Sequence, residues 1–405
     1  MVQSRVNKDV FICSYCADIV KKLHFKEEYG EAACQKLAWK EKRGKMEGRE
    51  EKDFEIPSMT PREIHGELNR FIIGQEKAKK VLSVAVCNHI KRLNDNTGLI
   101  KKSNILLAGA SGTGKTLFAS TMAKLLNVPF ATMDATSITA AGYVGNDIES
   151  CLQNLLAKAD GDVKLAQRGI VFIDEIDKLA RSGQDAVRTS DCSGLNVQSS
   201  LLKMMEGSEM EIPLFGKTRH FSTDTVKIDT QNILFICGGA FAGLTGNIAK
   251  PNPIGIRLFN DAQSTIEKPV INPESLVTYG LMQELVGRLP VIVTLDDLQE
   301  DDLVRILTEP EDSIIKEYEL LFEKDGITLL FENDALHEIA KMALANKTGA
   351  RGLRTILEDI LIDIMFDAHG MENVATCVIT KDTLTTKVPM LFESQQTSEL
   401  CHKTV

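Results

Sequence analysis

"NILLAGASGTGKT", residues 104–116, runs a short apolar stretch straight into Gly109-x-x-x-x-Gly114-Lys115-Thr116. The apolar run predicts a buried strand from Ile105 to Ala108. The residues that follow predict a helix with Phe118, Met122, Leu125 and Leu126 on one face. Between a strand and a helix, glycines permit a loop whose amides turn inward toward phosphate oxygens. The helix dipole adds positive potential, Lys115 reaches the outer phosphates, and the Thr116 hydroxyl suits Mg²⁺. Candidate cofactor-binding residues are therefore Gly109, Ala110, Ser111, Gly112, Thr113, Gly114, Lys115, Thr116 and Leu117. A glycine-rich turn with no ligand would require neither the flanking elements nor the Lys-Thr pair.

Further along, "GIVFIDEID" (169–177) reads as a second buried strand, ending in Asp174-Glu175. Carboxylates at the end of an apolar strand are costly to bury unless they are paired or functional. Asp174 suits the Mg²⁺ shell, Glu175 suits activation of the attacking water, and Asp177 reads as a helix cap. ATP hydrolysis is the chemistry these two stretches imply.

The rest of the chain bounds that chemistry. With 405 residues and a net charge of -10, two or three domains are expected, and broad electrostatic binding to nucleic acid or anionic lipid is disfavoured. The most apolar run, "NILFICGGAFAGL" (232–244), is too short and glycine-broken to span a bilayer. No basic-then-apolar leader is seen, so the chain reads as cytoplasmic, with neither membrane nor nucleic acid as partner. Nine scattered cysteines do not form a disulfide framework, and only Cys13-x-x-Cys16 has metal-like spacing.

A small head (1–39) and a charged linker (40–58) precede an α/β large domain (59–294). It opens at "MTPREIHGEL", where Thr60, Pro61 and Glu63 form a capping-box signature. A smaller, mostly helical domain (295–392) follows, with Leu353, Ile356, Leu357, Ile360, Leu361 and Ile364 in one helical stripe. A polar tail (393–405) ends the chain.

From about Thr60 to Phe392 the chain resembles the ClpX family of AAA+ protein unfoldases. The motifs "FIIGQEKAKKVLSVAV", "SNILLAGASGTGKT", "AGYVG", "QRGIVFIDEIDK", "ILFICGGAFAGL", "GRLPV" and "KTGARGLR" stand in family order. The related HslU ATPases share "IIGQ", "GYVG" and "FIDEID" but carry a long insertion before the acidic strand, which makes them the runner-up. The resemblance implies a P-loop AAA+ large domain, a smaller helical C-terminal domain and a zinc-finger-like head. It also implies a homo-hexameric ring that pulls protein substrates through its pore into a ClpP-like peptidase. A stand-alone remodeller of complexes is the alternative, and a nucleotide-gated scaffold a third reading.

On that resemblance, Tyr143 and Val144 grip substrate in the pore, and Ile72 and Ile73 pack the adenine. Arg288 is the finger reaching into a neighbour's site, Arg351 senses the γ-phosphate, and Arg354 is its structural companion. No first sensor is named, because "NILFICGG" ends in Cys237 and glycines in place of Asn or Thr. Ser193 to Gln198 match a second channel loop, "KTRH" (217–220) an entrance loop, and Ile254-Gly255-Ile256 the peptidase-docking tripeptide. In the head, Cys13, Cys16 and Cys34 match zinc ligands, but Leu37 holds the fourth position. Three thiolates do not close a tetrahedral site, and zinc stays open.

Overall fold

The computed structural model describes residues 2–3, 11–12, 57, 59–95, 97–138, 148–180, 192–213, 225–244, 271–346, 348–368 and 374–393. Two helices, α1 (Pro61–Phe71) and α2 (Glu76–Leu93), open the large unit. The capping box forms as its residues predict: Thr60 Oγ1 accepts from Glu63 N at 3.3 Å, and Glu63 Oε2 accepts from Thr60 N at 2.7 Å.

Strands and helices then alternate as β1 (Ile105–Ala108), α3 (Lys115–Leu126), β2 (Phe130–Asp134), α4 (Ile148–Lys158), β3 (Ile170–Asp174) and α5 (Cys192–Glu206). An antiparallel hairpin of β4 (Glu209–Pro213) and β5 (Thr225–Asp229) leads to β6 (Leu234–Gly239), α6 (Pro273–Tyr279), α7 (Gln283–Gly287) and β7 (Val291–Thr294). Five strands form one parallel sheet in the order β2-β3-β6-β1-β7.

Alternation along the strands shows why the sequence reads as continuous apolar runs. Leu106, Val171, Ile173, Phe235 and Cys237 pack into one core, whereas Ile105, Leu107, Phe172, Leu234 and Ile236 pack into a second core on the opposite face. Both faces are covered, so the carboxyl ends of the strands are where loops are free to build a site.

The small unit holds α8 (Glu300–Thr308), α9 (Ile314–Lys324), β8 (Thr328–Phe331), α10 (Asn333–Ala345), α11 (Ala350–Ala368), β9 (Val374–Ile379) and β10 (Met390–Glu393). The stripe from Leu353 to Ile364 is buried in its core, as the periodicity predicts. Its helices are joined by a three-stranded sheet, β8 parallel to β9 and β10 antiparallel, which the helical texture did not reveal. The two units are tied together at α1 and α2. Arg70 forks onto Glu311, with Nε–Oε1 at 2.7 Å and Nη2–Oε2 at 2.9 Å. Gln75 trades bonds with the Asp296 backbone, donating at 2.7 Å and accepting at 2.9 Å.

One loop assignment is corrected. Ser193 to Gln198 lie inside α5, where Val197 is 3 % and Gln198 0 % exposed. Gln198 donates to Leu179 O and accepts from Met282 N, both at 2.8 Å, so a core clamp occupies the place read as a channel loop. Among the described residues no helix is long and apolar enough to cross a membrane.

Candidate active site

The loop after β1 is pinned at its start, where Gly109 N donates to Gly239 O at 3.1 Å across to β6. Gly112 (φ +80°) and Gly114 (φ +95°) sit in the left-handed region, which a side chain would strain. Gly114 is also the N-cap of α3 and supplies no side-chain cap, so the helix's first amides are left for another acceptor. Lys115 is 8 % exposed, and its Nζ donates to Gly109 O at 2.7 Å and Ala110 O at 2.9 Å. Burial pushes its ammonium below the ordinary lysine value, while the charge of Asp174 pulls the other way. An uncapped helix start, inward glycines and a buried cation form a donor set that fits a phosphate chain.

Asp174 ends β3, with Oδ1 accepting from Glu175 N at 2.9 Å. Its Oδ2 lies 3.9 Å from Arg351 Nη2, which comes from the first turn of α11. Glu175 has φ +57°, a conformation costing a non-glycine residue about 1–2 kcal/mol, and it is exposed. Lys115, Asp174, Glu175 and Arg351 thus meet at the carboxyl ends of β1 and β3, close enough that the last three all bear on Lys115. Thr116, in the first turn of α3, and Asp174 are the candidate holders of Mg²⁺.

Asp177 is not the helix cap its position suggested. It is 5 % exposed, its Oδ2 accepts from Phe241 N at 3.3 Å, and its Oδ1 has no partner among the described residues. Its neighbours explain the glycines that end β6. A Cβ at Gly238 would stand 3.1 Å from Asp174 Oδ1, and one at Gly239 would stand 3.0 Å from Asp177 Oδ1 and 2.5 Å from the Phe241 ring. With Phe172 Cζ 2.7 Å from the Cβ position at Gly238, carboxylates and two rings fill the space where an Asn or Thr side chain would project. Cys237 beside them is fully buried, and desolvation pushes its thiol up to about 12.

The start of α11 rests directly on the phosphate loop. Ala350 N donates to Gly112 O at 3.4 Å, and a Cβ on Gly349 (φ +57°) would stand 3.2 Å from Gly112 Cα. Sequence reading singled out "KTGARGLR" for Arg351 and missed why its glycine precedes the arginine. Ile72 (4 % exposed) packs in the core between α1, α2 and α3, and Ile73 (6 %) is buried beside it.

Two family models match the chain, an AAA domain (Cdc48 subfamily) over residues 100–292 and the C-terminal, D2-small domain of ClpB protein over 298–376. Proteins named ATP-dependent Clp protease ATP-binding subunit ClpX from Borrelia duttonii (strain Ly) and Borrelia recurrentis (strain A1) are each 45 % identical over 387 residues, 93 % of this chain and 86 % of theirs. The ClpX of Treponema denticola is 45 % identical over 333 residues, 80 % of each chain. The chain belongs to the ClpX family. HslU, the runner-up on motifs, gives way to that assignment.

Relative to this ClpX-type site, Arg288 lies elsewhere. It precedes β7, whose Val291 pairs with Ile105 at the amino end of β1, whereas the phosphate loop leaves the carboxyl end. Its Nη2 donates to Glu206 Oε1 at 2.7 Å. Arg354 pairs with Glu317 and Glu358, away from Asp174. Tyr143, Val144, "KTRH", Ile254, Gly255, Ile256, Cys13, Cys16 and Cys34 lie outside the described residues.

Proposed function

We propose that this chain is an ATP-driven protein unfoldase of the ClpX type, with 59–294 and 295–392 as the large and small domains of each subunit. Six copies would form a ring and deliver polypeptides to a ClpP-like peptidase. The observation that carries the reading is the meeting of Lys115, Asp174, Glu175 and Arg351 around one uncapped helix start. The 45 % identity to ClpX proteins along 93 % of the chain supports it.

In this reading Gly109 to Leu117 and Lys115 cradle the phosphates of ATP, with Ile72 and Ile73 against the adenine. Mg²⁺ held by Thr116 and Asp174 would offset charge on the outer phosphates. Glu175, exposed on its strained turn, takes a proton from the attacking water. Arg351 links the small domain to the outer phosphate, and the bond from Ala350 to Gly112 lets a change in the loop move α11 as a unit. Arg288, at the other end of its own sheet, serves a neighbour's site. Tyr143 and Val144 grip the substrate, and Ile254 to Ile256 dock the peptidase.

The test is unfolding of a stable tagged fluorescent protein with ATP, with and without a ClpP-like peptidase. Loss of fluorescence with peptide release only when the peptidase is present supports the reading. Unfolding with no peptide release would favour the stand-alone remodeller, and no ATP-dependent unfolding would overturn both. Tyr143→Ala should keep ATP turnover and lose action on the folded substrate far more than on a chemically unfolded one; equal losses would refute a gripping role.

A further inference from the structure

Asn104, the residue before β1, is 2 % exposed and uses both ends of its amide. Its Nδ2 donates to Arg288 O at 3.0 Å and Met205 O at 3.5 Å, and its Oδ1 accepts from Phe235 N at 3.4 Å. One buried side chain therefore joins the strand that carries the phosphate loop to β6, to the last turn of α5 and to the backbone of Arg288. The residue after Met205 is Glu206, which also holds the Arg288 guanidinium, at 2.7 Å. The backbone of the arginine is thus held by Asn104 and its side chain by Glu206 of α5, whose neighbour Met205 accepts from the same Asn104 amide.

That arrangement is more than a surface ion pair needs. Glu206 and Arg288 are 40 % and 52 % exposed, and pairs so wet contribute little to folding. What the pair does is hold a long, rotamer-rich side chain in one direction before it meets anything, which lowers the entropy lost on engagement. Among the described residues the bond occupies Nη2 only, which leaves the rest of the five-donor fork for an oxyanion presented by another subunit.

We infer that Glu206 is a positioning residue for Arg288, and that Asn104 is the strut tying both to the strand that carries the phosphate loop. The inference rests on the reading of Arg288 as acting in a neighbour's site. On it, movement of a subunit's own loop is transmitted along β1 to the arginine it offers next door, a physical route for coupling between sites.

Glu206→Ala should lower kcat for ATP roughly fivefold, the upper end for an exposed Arg–carboxylate pair, with KM changed less than twofold. Glu206→Gln, which keeps an acceptor oxygen, should restore part of that loss. In an Arg288→Ala background, Glu206→Ala should cost nothing further, because the group it positions is gone. Mixing Glu206→Ala chains with Glu175→Gln chains should recover turnover in the same pattern as mixing Arg288→Ala chains. An unchanged kcat in Glu206→Ala, or the same fold-loss with and without Arg288, would overturn the positioning role while leaving Arg288 intact. Full turnover in Arg288→Ala alone would overturn the reading beneath it as well.

Discussion

Gly349 offers the sharpest test of how the small domain meets the nucleotide loop. It holds φ +57°, and a Cβ there would stand 3.2 Å from Gly112 Cα and 3.2 Å from Ser111 O. Gly349→Ala therefore carries two separable penalties. The left-handed backbone costs about 1–2 kcal/mol of stability. The close approach forces the loop and the start of α11 apart by a few tenths of an ångström, because both neighbours are backbone. Arg351, two residues on and 3.9 Å from Asp174, moves with it. In its proposed role Arg351 bonds the outer phosphate, a charge-assisted hydrogen bond worth about 1.5–3 kcal/mol, so weakening it by about half should slow turnover roughly threefold to tenfold. Gly326→Ala is the control, since Gly326 has φ +79° with nothing within 4 Å of its would-be Cβ. It should lose similar stability and keep its ATPase rate. Urea unfolding and steady-state turnover of both variants decide the matter. Equal turnover in the two, whether both high or both low, would refute the claim that the approach to Gly112 sets Arg351.

Other perturbations probe single steps. Glu175→Gln should bind fluorescent ATP analogues normally and lose at least about 10²-fold in turnover, since the amide takes no proton from water; near-normal hydrolysis would remove Glu175 from the chemistry. Thr60→Ala, which removes the cap of α1, should cost about 1 kcal/mol in urea unfolding with turnover unaffected, and a cost near zero would show that Glu63 alone suffices. His89 is buried, its Nε2 has no partner among the described residues, and desolvation, with Arg92 and Lys102 nearby, pushes its pKa from 6.5 down to about 3. The unfolded chain then takes up a proton below pH 6.5 that the folded one refuses, so stability present above 6.5 is lost as pH falls toward 3. His89→Leu should remove up to about 1.4 kcal/mol per pH unit from that acid slope, and an unchanged slope would show that the folded ring takes up its proton as readily as the unfolded one.

What the sequence disclosed was local in its physics. A strand, a glycine loop, a lysine and a helix start are contiguous from Ile105 to Leu126, and the Thr60 box needs only four residues, so pattern and turn chemistry suffice to read them. What it withheld was distant in the chain. Gly112 and Gly349 are glycines partly for each other's sake, and nothing near either one says so. Gly238 makes way for Phe172 and Asp174, which lie on another strand, and Gly239 for Asp177 on the turn beyond it as well as for the nearby Phe241 ring. Asp177 looked like a cap because aspartate after a strand often is one; Phe241, 64 residues on, claimed its carboxylate instead. The segment from Ser193 was read as a loop by family likeness, although Val197 and Gln198 bury themselves in a helix whose partners, Leu179 and Met282, stand on both sides in sequence.

The polarity of a parallel sheet gives these distant contacts a common logic. All five strands point one way, so Lys115, Asp174 and Glu175 leave the same end, and α11 brings Arg351 to it. Arg288 enters β7 from the opposite end, four strand residues away, or about 13 Å at 3.3 Å per residue. No rotamer of its side chain spans that length and turns back over its own loop. If the arginine serves ATP chemistry, it serves it next door. A single subunit is then half of two sites, and β1, hydrogen-bonded to Arg288 O through Asn104 at one end and running into Gly109 at the other, is a short path between them.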